Sequence, residues 1–117
     1  MDLYLEKFLS QYLVTALWSS TDDGSPLDDA HDLTDITPAD VEAARADCKR
    51  FIELADDALD GADPERAGHD FWLTRNGHGA GFWDGDWSEA VGKRLTEISH
   101  KFPTVDPYVG DDGLIHF

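Results

Sequence analysis

Eighteen consecutive residues, His69 to Asp86 (HDFWLTRNGHGAGFWDGD), hold the densest set of groups able to do chemistry. They bring two histidines, an arginine, two tryptophans and three aspartates around four closely spaced glycines. One reading is a ligand-facing turn: glycine lets a backbone approach closely, Arg75 and His78 offer polar contacts, and Trp83 offers an aromatic face. The other is a tight hairpin whose glycines serve positive φ angles and whose tryptophans pack inside. A phosphate cradle does not fit, because GHGAG lacks the lysine of a P-loop and leads into a strand-like segment, not a helix. His69, Asp70, His78, Asp84 and Asp86 are competent metal donors in no established spacing, and with 19 Asp in the chain such proximity arises by chance. Neither a metal nor another cofactor is expected. Cys48 falls on the apolar face of a helical pattern, where a thiol acts as a small core residue, and no serine occupies a nucleophile elbow. Catalysis is therefore the weaker expectation, and binding the stronger.

Three helices are expected to position these groups. Asp2 precedes an i, i+3, i+4 stripe of Leu5, Phe8, Leu9, Tyr12, Leu13, Ala16 and Leu17, which predicts a helix over 3–18. Thr37 and Pro38 open a second, over 38–59, with Val41, Ala44, Cys48, Phe51, Ile52, Ala55 and Leu59 inward and Gly61 and Pro64 ending it. Asp86 and Glu89 open a third, over 87–102, stopped by Pro103. Between the last two, Phe71-Trp72-Leu73-Thr74-Arg75 has strand composition and Asn76-Gly77 is a hairpin-turn signal, so 70–84 is predicted as an antiparallel hairpin. The tail, Tyr108-Val109 and Leu114 to Phe117, reads as one more strand or a second small hairpin. The expected fold class is thus α+β: three helices with a small antiparallel sheet built on a central hairpin. At 117 residues the chain is expected to be a single domain, 1–117.

Charge narrows the partners. The chain carries 25 Asp+Glu against 9 Lys+Arg, a formal −16, and residues 21–60 hold 13 acidic and 3 basic side chains. Direct nucleic-acid binding is disfavoured because the basic footprint that phosphate requires is missing. The loop over 19–36 carries Asp22, Asp23, Asp28, Asp29, Asp32 and Asp35 with no lysine or arginine among them. Such carboxylates are either a solvated face that aids solubility or an imitation of a phosphate backbone that occupies a basic groove on a DNA- or RNA-binding protein. No stretch reads as a membrane span, Met1 does not open a secretory signal, and the lone cysteine suits a reducing compartment, so a cytoplasmic protein is expected.

The string AGHDFWLTRNGHGAGFWDGDW, followed by GKRLTEISHKFP and DPYVGDDGLIHF and preceded by FLSQYLVTALWSSTDDGSPLDD, resembles a family of small proteins encoded by phages and prophages. The likeness covers most of the chain. It implies a phage origin, hence a host cytoplasm, and carries over no catalytic residue. By class, it implies an acidic accessory protein that inhibits a host nucleic-acid-processing or defence protein bearing a basic surface. The alternative is a small-ligand or nucleotide-binding protein that uses Arg75, His78 and Trp83.

Overall fold

The computed structural model describes residues 2–22, 24–78, 80–83 and 87–117. Helix α1, Leu3–Ser19, starts where the Asp2 carboxylate accepts the Leu5 N–H at 3.1 Å, and it buries the stripe from Leu5 to Leu17 expected of it. After α1 come two two-residue strands, β1 (Thr21–Asp22) and β2 (Ser25–Pro26), paired antiparallel with Asp22 opposite Ser25. Two 3-10 turns, Leu27–Asp29 and Leu33–Asp35, complete the connection to α2. Helix α2, Pro38–Ala55, is capped by the Thr37 side chain, with proline in its first turn where a missing N–H costs nothing. It stops at Ala55 because Asp56 takes φ 48°, and a 3-10 turn, Asp56–Leu59, carries the chain on to the expected end.

The predicted hairpin over 70–84 is not formed. Residues Pro64–Arg75 are a helix, α3, capped by the Asp63 carboxylate on the Glu65 N–H. Two signals were double-edged. Pro64, read as ending α2, instead opens α3, since proline serves the first helical turn as well as it stops a previous one. Asn76-Gly77, read as a hairpin turn, closes α3: Gly77 at φ 73° donates to the Thr74 carbonyl at 3.2 Å and His78 to the Leu73 carbonyl at 3.0 Å, the paired bonds of a Schellman cap. The strand-like composition of Phe71-Trp72-Leu73 reflects a helix buried on nearly all sides, from Asp70 to Arg75 without interruption.

Helix α4, Glu89–Ser99, begins at Ser88, whose hydroxyl accepts the Val91 N–H at 3.4 Å. The Asp86 expected to cap it lies outside the described residues. The tail forms the second small hairpin, β3 (Tyr108–Val109) with β4 (Ile115–His116), in antiparallel register. The fold is α+β, with four α-helices and short antiparallel strand pairs among the described residues.

Helices α1 and α3 form the central pair. They approach so closely that a Cβ on Gly68 would lie 2.2 Å from the Phe8 carbonyl oxygen. Around them Phe51 stacks on Phe71 with centroids 4.2 Å apart, and Phe8, Tyr12, Phe82 and Phe102 complete an aromatic core. No helix among the described residues is long and apolar enough to cross a membrane.

Candidate functional site

The acidic segment between α1 and α2 is held at both ends and faces outward between them. Leu27 is buried against α1, and its N–H donates to the Ser20 carbonyl at 2.9 Å. At the other end Ile36 is buried and bridges to Ile115, while the Thr37 N–H donates to the Ile115 carbonyl at 3.1 Å. Two apolar anchors thus convert a run of turn-forming residues into a shaped surface.

Its aspartates divide into two kinds. Asp32 and Asp35 build the second 3-10 turn as a reciprocal capping box. The Asp32 side chain accepts the Thr34 N–H at 2.9 Å, and the Asp35 side chain accepts the Asp32 N–H at 3.1 Å. Hydrogen bonds from the Thr34 hydroxyl and N–H hold the Asp32 carboxyl below its ordinary range. Asp35 also meets His31 Nδ1 at 3.2 Å. Asp22, Asp28 and Asp29 are exposed, and among the described residues none of the three makes an ion pair or a side-chain hydrogen bond. Asp23 lies outside the described residues. The Asp-Leu-Thr-Asp spacing of residues 32–35 is the sequence signal of this capping box.

Arg75, His78 and Trp83 are not brought to one place. Arg75 is 4% exposed and turned into the core. Its Nε donates to the Pro103 carbonyl at 2.7 Å, and one terminal nitrogen donates to the Tyr12 hydroxyl at 3.0 Å and to Asp47 at 2.8 Å. The guanidinium also sits over the Phe102 and Phe71 rings, 5.4 and 5.9 Å from their centroids. Burial raises the Tyr12 hydroxyl far above its ordinary range, so it stays protonated beside the arginine. Asp47 and Tyr12 are 28 and 63 residues from Arg75, and no local spacing announces them.

His78 is half-buried and lines a cleft of about 500 Å³ between the end of α1 and the segment Thr104–Pro107. Some of the polar groups of that cleft are already used. Trp72 Nε1 donates to Ser19 Oγ at 2.8 Å, and Asn76 Oδ1 accepts the Val105 N–H at 2.7 Å.

Trp83 lines a different cleft of about 490 Å³ against α4. The backbone supporting it is tightly fixed. The Phe82 N–H donates to Thr74 Oγ1 at 3.1 Å, and Gly81, at φ 146°, passes where a Cβ would lie 2.2 Å from that hydroxyl. On the far side the Phe82 carbonyl approaches α4 at Gly92, where a Cβ would lie 2.5 Å from it.

Several groups suited to metal or nucleophilic chemistry are committed elsewhere. His69 Nδ1 is 2.9 Å from Thr15 Oγ1 and its ring stacks on Trp18, and Asp70 accepts the Trp87 indole N–H at 2.6 Å. Asp84 and Asp86 lie outside the described residues, and among the described ones no group of three or more His, Cys, Asp or Glu is arranged to hold a metal ion. Cys48 is fully buried on α2, and burial pushes its thiol far above the ordinary range, away from the reactive thiolate. Compared with family models, curated proteins and solved structures, the chain matches none.

Proposed function

We propose that the chain is an acidic binding protein that uses the segment between α1 and α2 to occupy the basic, nucleic-acid-binding surface of another protein. In the phage setting that its sequence resembles, that partner is a host nucleic-acid-processing or defence protein, and binding inhibits it by mimicry of a phosphate backbone. The observation that carries this reading is the anchoring of the segment by Leu27 and Ile36, which leaves Asp22, Asp28 and Asp29 exposed and unpaired among the described residues. A merely solubilising surface needs no ordered presentation. Carboxylates on an anchored segment, with unused acceptor oxygens, suit arginine and lysine of a groove built for phosphate. The formal −16 adds long-range attraction to any such surface.

Capture from host lysate tests this in competitive form. The immobilised chain should retain a basic nucleic-acid-binding protein that duplex DNA displaces. Replacing Asp22, Asp28 and Asp29 together by Asn should cut retention by about tenfold without unfolding the chain. Retention equal to wild type, or tight binding of the isolated chain to duplex DNA itself, would exclude the reading.

A further inference from the structure

The cleft beside Trp83 has a feature that packing does not require. Trp83 is 47% exposed and follows Gly81-Phe82, a backbone held by Thr74 and by the approach to Gly92. Trp87 forms a second wall, and its orientation is fixed in advance. Its indole N–H is turned onto Asp70 at 2.6 Å, and its ring meets Phe82 nearly edge-on, at 71° and 5.2 Å. Trp83 and Trp87 thus both line a cleft of about 490 Å³. Helix α4 also lines it, with Glu89, Lys93 and Glu97 on successive turns. Among the described residues none of these three is in an ion pair.

We infer that this cleft receives an arginine side chain of a basic protein partner, its guanidinium against the Trp83 ring and its N–H groups toward the glutamate-bearing rim of α4. The inference rests on the proposed function for the class of partner, while the chemistry comes from the cleft. Aromatic faces attract cations through the ring quadrupole, and a weakly hydrated planar guanidinium stacks better than an ammonium. Two carboxylates against one ammonium leave the rim negative, and the whole chain, at a formal −16, raises the local concentration of cations and lowers that of anions. Lys93 stands between the two glutamates and opposes an incoming cation, so its removal tells a cation site from an anion site by the sign of the change.

The full chain, labelled with nitrogen-15, is titrated with acetyl-Gly-Arg-Gly-amide and with the same peptide carrying citrulline, which keeps the shape and removes the charge. The indole N–H signals of Trp83 and Trp87 should shift saturably with the arginine peptide, and the citrulline peptide should bind about tenfold more weakly. Trp83→Ala should weaken the arginine peptide by about fivefold or more, and Glu89→Gln with Glu97→Gln by about threefold. Lys93→Gln should tighten it by about twofold. Absence of a saturable shift, an equal response to citrulline, or weakening by Lys93→Gln would overturn the inference. The variant with Asn at 22, 28 and 29 should keep the peptide response within about twofold. A silent cleft in a chain whose Asn variant still loses its partner therefore removes this inference and leaves the acidic-segment reading standing.

Discussion

Arg75 joins three distant parts of the chain, α1 through Tyr12, α2 through Asp47 and the segment after α4 through Pro103. A residue with its donors spent inside the core acts on stability. Arg75→Met should cost about 2–4 kcal/mol in denaturant unfolding, because it strands the Tyr12 hydroxyl and the Pro103 carbonyl. Asp47→Asn should cost about 1 kcal/mol or less, since Asp47 is 39% exposed and water replaces it in part. Partner binding per folded molecule should not change in either; loss of binding by a stable Arg75→Met would return the arginine to a contact role. A second residue-scale expectation concerns acid. The Asp32 carboxyl is held below its ordinary 3.8, so its contribution to stability is present above that pH and disappears as pH falls through the lowered value. Asn caps as well as Asp without the charge, so the difference in thermal midpoint between wild type and Asp32→Asn should shrink between about pH 5 and pH 2. A gap that is constant across that range would contradict it. At this scale the sequence disclosed types better than roles. The buried, inert Cys48 was legible from its helical stripe. The inward turn of Arg75 was not, because its partners are set by tertiary packing, and the capping duty of Asp32 and Asp35 was hidden by reading all six aspartates as equivalent surface charge.

Three of the four helices were legible because each shows one apolar face and a conventional start: Asp2 for α1, Thr37-Pro38 for α2, and a polar first turn before the Val91 and Leu95 stripe of α4. Helix α3 escaped because it is the central element. Burial of every residue from Asp70 to Arg75 erases the 3.6-residue alternation that marks a surface helix, and an apolar run flanked by Asn-Gly then imitates a strand and its turn. Its opening, Asp63-Pro64-Glu65, repeats the cap and proline pattern of α2 and was the available signal. The pairing of α3 with α1 makes a sharp prediction. Glycine is a poor residue inside a helix, by about 1 kcal/mol against alanine, so Gly68→Ala would stabilise an isolated α3. In the folded chain the new Cβ meets the Phe8 carbonyl, and the helices must part, at a cost of about 3 kcal/mol. Gly61→Ala, at φ 73° with open space around it, should cost about 1 kcal/mol. Equal effects at the two positions, read from thermal or denaturant unfolding, would mean that α1 and α3 do not touch there.

For the whole molecule, the dominant quantity is charge: a formal −16 on 117 residues. Six of the 25 acidic residues fall on the segment between α1 and α2, and the ordering of that segment was not legible. Its anchors, Leu27 and Ile36, are isolated apolar residues whose neighbours belong to α1 and to the C-terminal strand. Fixed exposed charge and a whole-chain field act on different steps of binding. The field governs encounter and is screened over about 8–10 Å at physiological salt, whereas an individual contact governs how long a complex lasts. The most direct measurement is the association rate of the chain with its captured basic partner as salt is raised from about 50 to 500 mM, for wild type and for the chain with Asn at 22, 28 and 29. The account predicts a steep fall of the wild-type rate with salt and a slower, flatter profile for the variant, with dissociation changed less than association. Rates that ignore both the salt and the three substitutions would contradict it.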